Sequence, residues 1–210
     1  MEPVIITHAA FAAYERIYRA NLINSISGYK PAMLIGTQNP HGQTNLAIFS
    51  SLVHLGANPA LLGFIQRPLG TSGHTYFNIK DTGYYTINHV HENFLTQAHY
   101  TSANFNQDVS EFTACRLTPQ YLHHFPAPFV QESHLKIAMQ LVDEVPIPYN
   151  NTRLMIGKIA FLVLPPSCLE PNGNVNLQQV EDVCISGLEN YHRVTRIASL
   201  PYAKPDELPW

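Results

Sequence analysis

The chain has 210 residues, 45% of them hydrophobic and 13% charged, the balance of a packed globular protein and not of a disordered one. Its formal net charge is −3 with neutral histidines, and no Lys/Arg run is present, which excludes the basic stripe of a nucleic-acid binder and an electrostatic membrane anchor. Cys115, Cys168 and Cys184 are widely spaced with no Cys-x-x-Cys pair, which points to reduced thiols and not to a disulfide scaffold. No apolar run approaches the ~20 residues that cross a bilayer. The opening Met-Glu-Pro-Val-Ile-Ile-Thr lacks the basic segment and apolar core of a signal peptide, so a cytoplasmic location is expected. One domain over residues 1–210 is expected for a β-rich chain of this length. So low a charge fraction also favours a surface covered by a second copy.

In chain order, residues 7 to about 22 suit a helix capped by Thr7, with Phe11, Tyr14, Ile17 and Tyr18 on one face. Ser27-Gly28 ends it. The apolar runs 32–37 and 44–55 flank Asn39-Pro40-His41-Gly42, a hairpin signal. Asn58-Pro59 makes another turn, and 61–65 reads as a short buried strand. Residues 71–82 suit a helix closed by Gly83, and 84–90 a strand rich in aromatic and β-branched residues. Residues 91–119 form a polar insert, helical over 91–100 and loop over 103–110. After the prolines of 125–128, residues 136–145 and 155–164 read as two long antiparallel strands around Asn150-Asn151. Residues 178–185 suit a short helix, and the proline-bearing tail 202–210 an extended segment.

Strands joined by short turns, with helices inserted between them, favour an antiparallel sheet or barrel over a βαβ sheet. No G-x-G-x-x-G, Walker A or G-x-S-x-G sequence is present, which removes the dinucleotide fold, the P-loop and the hydrolase elbow. His89 and His91 alternate as strand neighbours on one face do, but no third ligand stands at a sensible spacing, so no metal is expected. His123-His124 fails for the same reason.

Several blocks together resemble the flavin-reductase-like, FMN-binding split-barrel family, in particular its flavoredoxin-type branch. The first is Gly28-Tyr29-Lys30-Pro31-Ala32-Met33-Leu34-Ile35-Gly36-Thr37. Next come His41-Gly42, then Thr44-Asn45-Leu46-Ala47-Ile48-Phe49-Ser50-Ser51. Ala57-Asn58-Pro59 stands where the family has Asp-Pro-Pro. The last is His74-Thr75-Tyr76-Phe77-Asn78-Ile79-Lys80-Asp81-Thr82-Gly83, before a strand that carries Asn88. Weaker similarity runs through Ser110-Glu111-Phe112 and Ile156-Gly157-Lys158 to the tail Tyr202-Ala203-Lys204-Pro205. The resemblance implies a mainly β fold with inserted helices, an antiparallel Greek-key split β-barrel of the FMN-binding type. It further implies a homodimer with the flavin near the subunit interface.

The same resemblance implies that Asn45, Leu46, Ala47, Ser50 and Ser51 contact the flavin. Small side chains such as Ala47 and Ser50 let the strand backbone come close to a ring edge rich in carbonyls and nitrogens. On the residues alone, this segment reads equally as an ordinary strand with satisfied serines. Gln66, Arg67 and Pro68, with His74, Thr75 and Asn78, are expected on the phosphate side: Arg67 offers a charge-assisted fork, and Thr75 sits where a helix begins. Taken singly, Arg67 also reads as a surface charge, Thr75 as a cap and Asn78 as a turn residue. His99, Asn104 and Phe105, near Glu111 in the insert, are candidates for the substrate side; a surface loop with one buried aromatic is the other reading. No side chain is expected to act as acid or base, since hydride chemistry belongs to the flavin. The expected activity passes hydride from NADH or NADPH through FMN, or FAD, to free flavin, a small acceptor or a protein. The alternatives are a flavoredoxin-like electron carrier and a barrel that has lost its flavin.

Overall fold

The structure, a computed structural model, describes residues 3–70 and 73–208. In chain order it runs α1 (His8–Ala13), α2 (Arg16–Ile26), β1 (Lys30–Pro31), β2 (Met33–Gln38), β3 (Thr44–Phe49), β4 (Val53–Ala57) and β5 (Ala60–Gln66). There follow α3 (His74–Thr82), β6 (Tyr84–His89), α4 (Leu95–Tyr100), α5 (Glu111–Ala114), β7 (Pro119–Gln120) and β8 (Phe129–Val130). The chain closes with β9 (Lys136–Ile147), β10 (Thr152–Val163), β11 (Val183–Ser186) and β12 (Asn190–Arg193).

Seven strands form one sheet in the order β3-β2-β6-β9-β10-β5-β4, with every pairing antiparallel. Its two outer strands, β3 and β4, are consecutive in sequence with only residues 50–52 between them. A sheet whose edges are tied by three residues has to roll up, and the fold is thus the expected mainly antiparallel split barrel. Ser51 fastens the seam: its Oγ accepts from Ile65 N–H at 3.0 Å and lies 3.3 Å from Ile65 C=O. Register shifts at Ile156/Gly157 and Ile159/Phe161 let the twelve-residue strands β9 and β10 coil. Gly157 is required there, since a Cβ would stand 2.1 Å from the Tyr85 hydroxyl inside the barrel.

The interior is filled by Met33, Ile35, Phe64, Tyr85, Ile87, Met139 and Met155. A second cluster, around Leu34, Leu46, Ala98, Phe112, Val183 and Ile185, packs the insert and the small sheet β1-β11-β12 against the outside of β2 and β3.

Four sequence expectations change. The single helix over 7–22 is two helices, because the Glu15 carboxylate accepts from Ile17 and Tyr18 N–H and starts a new helix after the extended Tyr14. Thr7 does cap the first. The helix over 178–185 is a turn and then strand β11: Val183 and Ile185 are buried on either side of a half-exposed Cys184, a period of two that suits β-branched residues. The run 44–55 bends at 50–52 and does not continue as one strand. His91 lies beyond the end of β6, where it caps a 3-10 turn (Glu92–Phe94) and not a strand face.

Elsewhere, α3 begins at His74, with residues 71 and 72 of the expected helix outside the described residues, and Gly83 closes it at φ 78°. The tail has a turn closed by Glu207 N–H on Lys204 C=O; its residues 209 and 210 lie outside the described residues.

Candidate functional site

A cleft of about 1170 Å³ opens where β3 leaves the sheet, between the ends of β3 and β5, the N-terminus of α3 and the insert. The register explains why this edge is available. Leu46 faces Gly36 on β2, yet its N–H runs the other way, to Glu111 Oε2 at 2.9 Å. In an antiparallel ladder the outward backbone groups recur at every second residue. Ile48 therefore also points its N–H and C=O away from β2. The Leu46 N–H is taken by Glu111, and the Thr44 side chain bonds Ser110 Oγ, whereas residues 47–51 line the cleft. The strand is covered over its first half and open over its second.

Below this edge, Asn45 Nδ2 donates to Thr75 Oγ1 at 2.9 Å, and Asn78 Nδ2 donates to Thr37 Oγ1 at 3.0 Å. These buried pairs lock α3 onto β2 and β3 so that its first turn faces the cleft. Gly73 gives that turn no side-chain cap. Free N–H groups at a helix start favour an anion. His74 opens that helix, and Arg67, Arg16 and Lys30 bring further cations to the cleft lining. Burial, and second the nearby Arg67 charge, hold the Lys30 ammonium below its ordinary range. Lys30 is also engaged, donating to Asn24 C=O at 2.7 Å.

Glu111 is 6% exposed and lines the cleft. Burial pushes its carboxyl up, while N–H bonds from Leu46 and its own backbone, and the His74 ring, pull partly back. Gln66 is equally enclosed. Its Nε2 donates to Arg67 C=O, and its Oε1 has no partner among the described residues.

Of the eleven residues expected at a flavin, the structure brings nine to the cleft: Asn45, Ala47, Ser50, Ser51, Gln66, Arg67, Pro68, His74 and Thr75. Leu46 does not face it; its side chain is fully buried in the outer core and only its N–H looks outward. Asn78 lies on the face of α3 turned to β2, donating to Thr37. The Ser51 hydroxyl is committed to the barrel seam. His99, Asn104 and Phe105 also line the cleft. So does Tyr191, which the sequence reading passed over because β12 went unlocated. His89 is paired with Asp182 at 2.7 Å and His91 with His134 at 3.1 Å. Among the described residues no group of three or more metal-ligating side chains gathers.

Residues 29–171 match the model of the flavin reductase like domain. The chain belongs to the flavin reductase-like family. A crystal structure of a provisionally assigned flavin reductase with a split barrel domain, from Shewanella frigidimarina NCIMB 400, is 46% identical, with a TM-score of 0.93 over 96% of this chain and 100% of that one. Nitrilotriacetate monooxygenase component B from Bacillus cereus superposes with a TM-score of 0.82 at 17% identity over 95% of this chain and 100% of that one. The flavoredoxin of Desulfovibrio vulgaris (Miyazaki F) gives 0.71 at 22% identity over 83% and 92%. At those identities the last two speak for the fold alone. Family membership makes this a flavin-reductase-like oxidoreductase in general terms. No helix among the described residues is long and apolar enough to cross a membrane.

Proposed function

We propose that the chain binds FMN noncovalently in this cleft and passes hydride from NADH or NADPH through it to free flavin, another small acceptor or a protein. The observation that carries the reading is the half-open edge of β3 beside an uncapped helix start and Arg67. That is a ring-edge site and an anion site at neighbouring points of one cleft. The residues fit the group. Main-chain N–H and C=O at Ile48 meet a ring edge, the small Ala47 and Ser50 allow close approach, and the unpartnered Gln66 Oε1 awaits a donor. Arg67, His74 and the first N–H groups of α3 suit a phosphate, and FMN, with its single phosphate, suits this one cationic end better than FAD.

When bound, the flavin supplies the hydride chemistry. The protein orients the ring, excludes water and holds the phosphate, and no side chain acts as acid or base. Ligand sites of drug-sized molecules commonly span about 300–1,000 Å³. The cleft, at about 1170 Å³, has room for a flavin.

A homodimer accompanies this reading. Ile17, Tyr18 and Ile26 on α2 are 56–67% exposed, and Ile197, Leu200 and Tyr202 on the tail more so. A second copy of the chain would cover these exposed apolar side chains. Sedimentation of the purified protein at twice the chain mass is expected.

The deciding experiment is an absorbance spectrum of the purified protein, followed by anaerobic addition of NADH or NADPH. Flavin bands that bleach rapidly are expected. Bands that persist would make the protein an electron carrier fed by another protein. A protein that stays colourless after incubation with FMN would overturn the flavin reading.

A further inference from the structure

Histidines and carboxylates meet where the insert leaves the barrel. His89 ends β6, His91 follows it, and His134 stands just before β9; Glu181 and Asp182 precede β11, and Glu92 opens the 3-10 turn. The joint also holds the small sheet, for His91 forms a lone antiparallel bridge to Asp182, and Val183 N–H donates to Val90 C=O at 3.1 Å. His91 is 4% exposed, whereas His134 is open to solvent. The other charges around His91 are engaged: Arg193 clasps Glu92 with two bonds of 2.6 Å, and His89 Nδ1 lies 2.7 Å from Asp182 Oδ2.

The His91 and His134 rings fix each other's protons. Asn93 N–H donates to His91 Nδ1 at 3.2 Å, so that nitrogen carries no hydrogen. The proton of the neutral ring is then on Nε2, which lies 3.1 Å from His134 Nε2 and donates to it. The chain of bonds is complete with one proton on each ring, and a third has no place in it. On His134 Nε2 it would set two N–H groups head to head; on His91 Nδ1 it would meet the Asn93 N–H. Moving the His91 proton from Nε2 to Nδ1 relieves the first conflict only by creating the second. An acceptor for an Nδ1–H stands by in the half-exposed Glu181 carboxylate, 3.9 Å away. Burial first, then the His134 ring, hold His91 below its ordinary range against Glu181, Glu92 and Asp182, so the capped arrangement is the one present at neutral pH.

We propose that the His91–His134 pair is a proton-operated latch on the insert wall of the cleft. With both rings neutral, His91 caps the turn Glu92–Phe94 and so steadies α4, which carries His99 to the cleft. When the pair takes up a proton, His91 turns from the Asn93 N–H to Glu181, the turn loses its cap, and α4 loosens while the barrel stays closed. The latch acts on the wall and not on a bound molecule, so it stands whether or not the cleft holds a flavin.

The test is hydrogen–deuterium exchange on the purified full-length protein, corrected for the intrinsic pH dependence of exchange. An ordinary histidine titrates near 6.5, so one linked proton should lower the protection of Asn93 and the α4 amides about tenfold between about pH 7.5 and about pH 5.5. The amides of β9 and β10 should lose less. His91→Asn keeps a capping acceptor that does not titrate and should abolish the loss. Glu181→Gln, a change at an exposed side chain, removes the partner of the charged ring and should move the loss to lower pH. Long-range proton–nitrogen spectra at neutral pH should find the His91 proton on Nε2. Unchanged wild-type protection, an equal loss at the β9 and β10 amides, an undiminished loss in folded His91→Asn, or a His91 proton on Nδ1 would each overturn the latch. Should His91→Asn fail to fold, Glu181→Gln decides in its place, and a loss at the wild-type pH would overturn the proposal.

Discussion

The cleft has two walls built on different principles. Along β3 the ligand-facing groups are main-chain atoms, placed by the ladder with β2, so their positions depend on register and not on which side chains stand there. Across α4, residues 101–105 and β12 they are side chains, each placed by a separate contact such as His99 with Tyr191. A backbone wall tolerates substitution until bulk blocks it. A side-chain wall changes with every residue. On the proposed function, specificity among second substrates would belong to the side-chain wall, and retention of the flavin to the backbone wall.

The largest expected effect tests the backbone wall by bulk. Ser50→Leu fills the approach to the open edge and should lower FMN affinity by about 3 kcal/mol, the upper range for overpacking, whereas Ser50→Ala should leave it nearly unchanged; fluorescence titration of apoprotein with FMN reads both. Next is Arg67→Ala, which removes a charge-assisted bond and should cost ~1.5–3 kcal/mol of FMN affinity; an unchanged affinity would take Arg67 out of the site. Smaller again is Ile48→Pro, a change edge strands accept because the lost N–H serves no ladder bond. It should weaken FMN by ~0.5–1.5 kcal/mol with the far-ultraviolet circular dichroism unaltered. If Phe105→Ala matched any of these on FMN affinity, the division between the walls would fail.

The smallest effects are in pH, at the two groups that brace the side-chain wall. Burial raises Glu111 above its ordinary 4.5, so the native state keeps a proton that the unfolded chain has released. Its contribution to stability is complete below 4.5 and is lost as pH rises through the raised folded value. His91, which caps the turn leading to α4, behaves in the opposite sense. Burial first, then the His134 ring, hold it below its ordinary 6.5 against Glu181, Glu92 and Asp182. Stability is complete above 6.5 and falls as pH drops toward the lowered value. Urea midpoints across this range should show both limbs, with Glu111→Gln flattening the one that begins near 4.5 and sparing the other.

The strand-and-turn rhythm was legible from end to end of the barrel: the hairpin at Asn39–Gly42, the long pair around Asn150-Asn151 and the Gly83 helix stop follow from local chemistry. The backbone wall was legible through a block of small residues next to a family pattern. What escaped was set by distant contacts. No local signal separates residues 178–185 as strand from helix until β1 and β12 pair with β11. Without β12, Tyr191 had no address, and its bond to His99 was invisible. Leu46 and Asn78 were assigned to the ligand by motif, but alternation along β3 sends the Leu46 side chain into the core, and Asn78 turns from α3 toward Thr37 on β2. A pattern of residue types identifies the segment at a site; register decides which atoms of it face inward.

The half-covered edge of β3 also governs how the protein behaves when its cleft is empty. An unpaired run of strand backbone is a template on which another chain can add a strand. Glu111 covers the Leu46 N–H and Ser110 lies against the Thr44 side chain, but the outward groups of Ile48 are left, on the proposed function, for the flavin to cover. If the flavin reading holds, loss of the flavin would expose a short sticky margin at the seam of the barrel, and colloidal stability, more than folding stability, is what a colourless preparation should lose.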